Sequence, residues 1–440
     1  MSFEMFQLHP HLAAAIRDVG YLTPTPIQTG AIPPVMEGND VLGLAQTGTG
    51  KTAAFALPML HRLLDGPRRK TRALVLAPTR ELAQQIHEAF VELGKRTPLR
   101  SVAIYGGVGI NPQIQVLRTG IEVVVACPGR LIDHVNRGTI DLSGVETVVL
   151  DEADRMFDMG FLPEIRRIFK HLPKQRQTLL FSATMPDDIR RLTREVLTDP
   201  VTVQVDRAAA ATTVAHALYP VAQHLKTGLL LELLRHTDTE SVLVFTRTKH
   251  RAKRVAQQLE GAGCRATSLQ GNLSQNRRQA ALDGFRDGTF QILVATDIAA
   301  RGIDVSRISH VINYDMPDTV DAYTHRIGRT GRAAKTGDAF TLVAGDDEGL
   351  ARAIERALGT KLERRTMAGF DYTVAAPKRD AEFARPPRQP RGPGKRARPA
   401  GAAGGGRSGS GQGAASSAPS SAAPPVKRGT QRFRPRRRAA

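Results

Sequence analysis

The sequence predicts an α/β protein of two tandem domains with parallel sheets, followed by a disordered basic C-terminal tail. Three observations carry that prediction. Short apolar runs alternate with helical periodicity twice over, across 39–205 and again across 217–365. Between them, at 206–216, the pattern lapses into an Ala/Thr-rich linker. From 376 to 440 the chain is mostly Pro, Gly, Ser, Ala and Arg, a composition that cannot bury enough apolar surface to order itself.

Residues 1–38 read as an N-terminal segment of the first domain. Leu12, Ile16 and Val19 have helical spacing, and Gly20 ends that helix. Pro24 and Pro26 then set a bent, extended connection up to Gln28. The Gln28 amide both donates and accepts, which suits an adenine edge, and Tyr21 offers a ring to stack on it. The other reading of Gln28 is a surface side chain at a helix start.

Within the first domain, apolar runs at 41–44, 73–77, 102–105, 123–126, 145–150 and 178–181 read as buried strands. Helical stretches lie around 81–95, 112–118, 130–137, 162–171 and 187–197. Ala45, Gln46, Thr47, Gly48, Thr49, Gly50, Lys51 and Thr52 form a Gly-rich turn between the first strand and a helix, the setting of a phosphate-binding loop. The glycines let backbone N–H groups fold around an anion, and the helix adds its positive end. Lys51 would reach the β- and γ-phosphates, and Thr52 would hold Mg²⁺. Ala45 stands where the general pattern opens with Gly.

Polar residues follow the other strands, where ligands bind in such sheets. Asp151-Glu152-Ala153-Asp154 comes directly after an apolar run. Asp151 suits Mg²⁺ held largely through water, and Glu152 suits polarising the attacking water. Ser182 and Thr184 offer hydroxyls to Asp154, a route for transmitting nucleotide state. Thr79, Arg80, Gly107 and Arg130 supply hydroxyl, guanidinium or backbone N–H groups that fit a nucleic acid backbone. Thr79 also fits a plain helix start.

The second domain has runs at 242–245, 266–269, 292–295, 310–313 and 339–343, with helices near 225–236, 249–261, 275–285, 319–327 and 348–358. It has no phosphate loop and therefore reads as a partner lobe. Near its end lies HRIGRTGR, 325–332, in which Arg329 and Arg332 can present two guanidinium groups to one polyphosphate. Asp304 is a candidate acceptor for a ribose hydroxyl.

Net charge is +20, but the tail from Ala376 holds 16 Lys and Arg against 2 acidic residues. A basic tail on a near-balanced body implies a polyanionic partner. The two cysteines, Cys127 and Cys264, have no metal-binding spacing and predict a reducing, cytoplasmic location. The first residues show no signal-peptide pattern, and no apolar stretch approaches membrane-spanning length, so no membrane partner is expected.

AQTGTGKT, PTRELA, DEAD, SAT, ARGID and HRIGRTGR, in that order, resemble the motifs of the DEAD-box RNA helicase family over roughly Phe3 to Thr360. The layout looks most like the bacterial RhlE-type branch. The resemblance implies two RecA-like domains with ATP and Mg²⁺ in the cleft between them. By the same resemblance, Tyr21 and Gln28 read adenine, Asp304 holds the ribose, and Gly48 to Thr52 hold phosphates and metal. Asp151 and Glu152 match the metal-binding and water-activating acids, and Arg329 and Arg332 match the arginine fingers. Asp154, Ser182, Thr184 and His325 match the residues that couple hydrolysis to unwinding and link the lobes. Thr79, Arg80, Gly107, Arg130, Arg247, Gln275, Arg278 and Thr296 match motifs that hold RNA.

Two positions depart from the family pattern. Cys127 replaces a Thr and loses a hydroxyl donor, and Gln270 replaces a His. The implied activity is ATP-dependent RNA unwinding with little sequence preference, in settings such as ribosome assembly or RNA decay. An ATP-gated RNA clamp or annealing chaperone is the alternative, favoured by the basic tail. A DNA helicase is a third reading, against which the Gln motif and DEAD weigh.

Overall fold

The computed structural model describes residues 2–46, 48–205, 214–237, 240–300, 308–330 and 337–376. Thr47, Asp304, Arg332, most of the expected linker and the tail from 377 lie outside the described residues. Each half of the predicted alternation forms one parallel sheet.

The first sheet contains β1 (Val41–Leu44), β2 (Ala73–Leu76), β3 (Ser101–Ile104), β4 (Val123–Ala126), β5 (Thr147–Leu150), β6 (Gln177–Ser182) and β7 (Val201–Gln204). Their order is β3-β4-β2-β5-β6-β1-β7. The second contains β8 (Val214–Pro220), β9 (Val242–Phe245), β10 (Ala266–Leu269), β11 (Ile292–Ala295), β12 (His310–Asn313), β13 (Gly337–Val343) and β14 (Glu363–Arg364). Its order, β10-β11-β9-β12-β13-β8-β14, repeats the first with every strand number raised by seven.

The first half carries helices α1 (Pro10–Asp18), α2 (Pro26–Met36), α3 (Lys51–Leu63), α4 (Arg80–Gly94), α5 (Ile110–Arg118), α6 (Pro128–Asn136), α7 (Ala153–Asp158), α8 (Leu162–Phe169) and α9 (Asp187–Val196). The second carries α10 (Lys226–His236), α11 (Lys249–Gly261), α12 (Gln275–Arg286), α13 (Asp297–Ala300), α14 (Val320–Ile327) and α15 (Glu348–Leu358). Successive strand residues point to opposite faces. Val75, Val125 and Val149 therefore pack in one core with Phe55 and Phe90, while Leu74, Val124 and Val148 pack in another with Leu131, Ile165 and Ile189. Burial on both faces is why these strands read as unbroken apolar runs. Both sheets belong to one compact unit that ends at Ala376.

Three differences from the sequence reading have physical causes. Pro26 opens α2 instead of ending an extended connection, because its fixed φ suits the first helical position. The linker expected at 206–216 is shorter, since β8 begins at Val214. Strands β7, β8 and β14 lack clear apolar runs: β7 is mostly exposed, β8 includes His216, and β14 is Glu363–Arg364.

Gly43 fixes how the strand bearing the phosphate loop meets its neighbour. It pairs with Phe181 of β6, and a Cβ there would sit on the Phe181 ring. That ring is fully buried and packs 5.5 Å from Phe55, so it has little room to yield. Gly43→Ala is expected to destabilise the protein by about 1–3 kcal/mol through overpacking. A lowered denaturation midpoint is the readout, and an unchanged one would show that Phe181 repacks freely.

Candidate functional site

After β1 the chain turns through Gly48 (φ 83°) and Gly50 (φ 93°), conformations that strain a residue with a side chain. The Thr49 hydroxyl donates to the Gln46 carbonyl at 2.8 Å. Lys51 opens α3, and its buried Nζ reaches back across the loop to donate to the Ala45 carbonyl at 3.0 Å. Thr52 follows it, half-buried.

Gln28 sits inside α2, buried, and clamps the loop from the side. Its Oε1 accepts from the Thr25 N–H at 2.9 Å, and its Nε2 donates to the Gly50 carbonyl at 3.1 Å. One amide hydrogen and one lone pair remain for a base edge. Tyr21 is exposed and stacks on Phe3 with ring centroids 6.0 Å apart. Thr25, to which its sequence context assigns no role, lies beside Gln28. Its hydroxyl is buried beside the loop at the start of α2, where Thr25 and Gln28 form a capping box, and a Cβ on Gly50 would come within 3.0 Å of it.

Asp151 follows β5 and is buried. Burial pushes its carboxyl up to about 6, against the opposing pull of Lys51. Glu152 takes φ 52°, a left-handed conformation that costs energy for a residue with a Cβ and is common at functional sites. Arg155 Nε lies 3.6 Å from Glu152 Oε2. One turn of α7 then presents Asp154. Its Oδ2 accepts from the Thr184 N–H and hydroxyl, both at 3.0 Å. The Asp154 N–H donates to Ser182 Oγ at 3.3 Å, and the Ser182 hydroxyl donates to the Thr184 carbonyl at 2.7 Å.

A glycine-lined loop, a buried ammonium and, within its electrostatic reach, a buried carboxyl fit a polyphosphate with a hard divalent ion. Among the described residues no three His, Cys, Asp or Glu side chains converge on a metal position. An ion here would complete its shell from phosphate and water, with Thr52 and Asp151 as the protein ligands.

The second lobe faces this site with the end of α14. Arg326 is buried and bidentate to Asp297 at 2.6 and 2.7 Å. It also donates to Asn313 Oδ1 and to the Asp315 carbonyl, and lies over the Phe245 ring at 5.0 Å. These contacts pin α14 to the ends of β9 and β12. His325 and the buried Arg329 are thereby aimed at the first lobe. A Cβ on Gly328 would lie 3.7 Å from Gln46 Oε1, so this turn reaches the phosphate loop. His325 lies within electrostatic reach of Asp154, Arg155 and Glu152. Burial, then Arg155, pushes its imidazole down to about 4.

A second feature spans the same two lobes. It is a groove of about 740 Å³ whose walls include Thr79, Arg80 and Arg130 on one side and Arg247, Gln275, Arg278 and Thr296 on the other. Gly107 adjoins it (φ 79°), and the Arg80 guanidinium fills the space a Cβ on Gly107 would need. Arg130 Nη1 is buried with no partner among the described residues.

Three side chains expected on RNA also bridge the lobes. Arg80 Nη1 donates to Gln275 Oε1 at 3.1 Å, and Gln275 Nε2 donates to Glu81 Oε1 at 3.3 Å. Arg278 Nε donates to the same Glu81 oxygen at 2.8 Å. Glu81 had no role in the sequence reading; a carboxylate inside PTRELA was its only signal. Thr79 caps α4 by accepting from the Leu82 N–H at 3.2 Å. Cys127 lines the groove with its thiol pushed up to about 12 by burial, so it stays neutral. Gln270 is buried and accepts from the Asn272 N–H at 2.7 Å, a local turn.

The DEAD/DEAH box helicase family model matches residues 25–192, and the helicase conserved C-terminal domain model matches 225–334. The chain is 43% identical over 381 residues to DEAD-box ATP-dependent RNA helicase CshA of Geobacillus kaustophilus, covering 86% of this chain and 81% of that one. The chain belongs to the DEAD-box helicase family. Another family member, ATP-dependent RNA helicase DeaD of Mycobacterium tuberculosis, is 47% identical over 358 residues, 81% of this chain and 63% of that one. The chain thus spans less than two thirds of the DeaD relatives it matches. Among solved structures of the family, Saccharomyces cerevisiae Dbp5 bound to RNA and ADP BeF3 is similar with a TM-score of 0.76 and 32% identity, covering 83% of this chain and 95% of that one. The two parallel-sheet lobes are therefore RecA-like.

The lowered His325 value sets a pH dependence for lobe closure in this DEAD-box chain. In the closed form His325 titrates at about 4, and in separated lobes it returns toward its usual 6.5. The open form then binds the extra proton, so this contribution to closure is full above about 6.5 and is lost as pH falls toward 4. Dyes on the two lobes should report weaker closure at pH 5.5 than at pH 7.5 by energy transfer. His325→Gln should remove that difference; a dependence that survives the substitution belongs to another group.

Proposed function

We propose that the chain is an ATP-dependent RNA helicase, an RNA-stimulated ATPase that separates short duplexes or remodels RNA–protein complexes locally. One observation carries the reading. The phosphate loop and acids of one lobe meet the His325–Arg329 turn of the other, while a cation-bearing groove crosses the same two lobes. The likeness to Dbp5 bound to RNA and ADP BeF3 supports the same ligands.

In this reading Gln28 and Tyr21 hold adenine, with Thr25 beside them. Gly48, Gly50 and Lys51 hold phosphates. Mg²⁺, on Thr52 and Asp151, would supply charge neutralisation at the terminal phosphates. Glu152 orients the attacking water and takes its proton. Arg329 stabilises charge on the transferring phosphate. Asp154, Ser182, Thr184 and His325 report the state of that site to the second lobe. Thr47, Asp304 and Arg332 keep their roles on the resemblance alone.

RNA lies along Thr79, Gly107, Arg130, Arg247 and Thr296, beside the bridge of Arg80, Gln275 and Arg278. Contacts to phosphate give little sequence preference, and 2′-hydroxyl contacts distinguish RNA from DNA. The basic tail tethers structured RNA in a salt-dependent way. Motif layout with a basic tail favours the RhlE-type branch. A cytoplasmic setting, with ribosome or RNA-decay assemblies as partners, fits the sparse cysteines. Among the described residues no helix is long and apolar enough to cross a membrane.

Two substitutions test the mechanism. Glu152→Gln should leave ATP affinity largely intact and lower kcat by at least about 10². Near-normal RNA-stimulated ATPase in that variant would remove Glu152 from its role. Arg329→Ala should cut RNA-stimulated turnover on the order of 10³ with little change in ATP affinity. The opposite pattern, lost affinity with retained turnover, would make Arg329 a ground-state ligand instead of a finger.

A further inference from the structure

Helix α11 (Lys249–Gly261) begins at the groove and carries its charges the wrong way round for stability. Its first six residues are Lys249, His250, Arg251, Ala252, Lys253 and Arg254, and its first acid is Glu260. Cations at a helix N-terminus oppose the backbone dipole, at a cost of about 0.3–1 kcal/mol each. Lys249 and Lys253 are also a like-charge pair one turn apart, a further small destabilisation. Other helices of the chain open in the opposite sense, with Glu81 in α4 and Asp187 and Asp188 in α9.

The inner face of α11 is accounted for by Ala252, Val255, Ala256 and Leu259, all buried. Arg251 reaches Asp315 at 2.6 Å. Lys249, His250, Lys253 and Arg254 are exposed and make no ion pair among the described residues. Lys249 donates to Asn272 Oδ1 at 2.9 Å, and with Arg247 it forms part of the groove wall. Lys253 lies one turn beyond Lys249, about 6 Å along the helix. Exposed cations therefore continue from the groove wall at Lys249 one turn along the outside of the second lobe, while Arg247 on the same wall pairs with Asp318 at 3.4 Å.

We infer that the exposed cations of α11 bind the phosphate backbone of RNA flanking the strand held in the groove. The occupant is a polyanion continuous with the groove-bound strand, because the surface begins at the groove-lining Lys249 and its exposed side chains are mostly cations. Lys253 and Arg254 each contact phosphate, and Lys253 lies on the same helix face as the groove-lining Lys249, one turn beyond it. This rests on the helicase reading above and extends its RNA interface.

The test uses the full-length chain with ADP BeF3 present, as wild type and as Lys253→Gln/Arg254→Gln. Two labelled RNAs are titrated across a salt series. One is a single strand sized to the groove, and the other is that strand joined to a hairpin duplex. Both proteins should bind the short strand alike. On the hairpin RNA the variant should lose affinity, and its slope of log affinity against log salt should be shallower by about 1.8, for two lost phosphate contacts. The variant should melt close to wild type, since both side chains are exposed and make no ion pair among the described residues. Equal slopes for the two proteins on the hairpin RNA would overturn the inference. Failure of nucleotide-dependent binding to the short strand itself would instead sink the helicase reading.

Discussion

The Asp154 carboxylate is where the two lobes and their chemistry meet. It is buried, it accepts two hydrogen bonds from Thr184, and it lies in the electrostatic surroundings of His325 from the opposite lobe. A buried charge must be compensated or it destabilises the fold by several kcal/mol. Within its own lobe, Thr184 and the neighbouring Arg155 supply that compensation. The strained Glu152, the single turn of α7 and the Ser182–Thr184 turn are all arranged around this group. A change in charge at the neighbouring phosphate loop therefore acts on a network that already includes the second lobe.

The two sheets have the same strand order, yet only one lobe has a nucleotide cradle. A lysine opens the helix after the first strand in both. Lys51 follows a glycine turn and has one carbonyl contact, to Ala45. Lys226 follows Val221-Ala222-Gln223-His224-Leu225, which has no glycine to turn the backbone inward. Its Nζ is buried between the carbonyls of Tyr314 and Leu342, at 3.1 and 2.9 Å, and lies 3.6 Å from Asp347. The second lobe has thus filled its own equivalent position with internal hydrogen bonds. What remains at its strand ends is the Arg326 clamp, which aims His325 and Arg329 outward.

Much of this was legible in the chain because doubly buried parallel strands are unbroken apolar runs with polar residues at their ends. The phosphate loop and DEAD stand at such ends, while HRIGR closes a helix. Legibility failed where a residue's partner is remote in sequence. Arg80 and Gln275 are chemically suited to phosphate, and nothing local announces that they bond each other across 195 positions. Glu81 was invisible for the same reason. Gln28 was legible as an amide near a nucleotide, but its helical setting depends on Pro26 at a first turn, a context that also fits an extended connection. Strand β8 was hidden by His216, which spends its polarity on the Tyr323 hydroxyl at 3.0 Å.

The same geometry explains why the proposed ATP and RNA sites must act together. The groove has walls from both lobes and is bordered by the Arg80–Gln275–Glu81–Arg278 bridge, so it exists in this form only when the lobes are closed. The nucleotide site receives Arg329 and His325 only in that same state. Each ligand therefore meets part of the free-energy cost of ordering the lobes for the other. Two ligands that favour one conformation must raise each other's affinity by the same factor. No dedicated signalling path between the sites is needed: a hinge and two half-sites on each side of it suffice. In the proposed cycle, phosphate release would remove charge from the loop that the Gly328 turn reaches, and so would weaken the closed form and the RNA grip in one step.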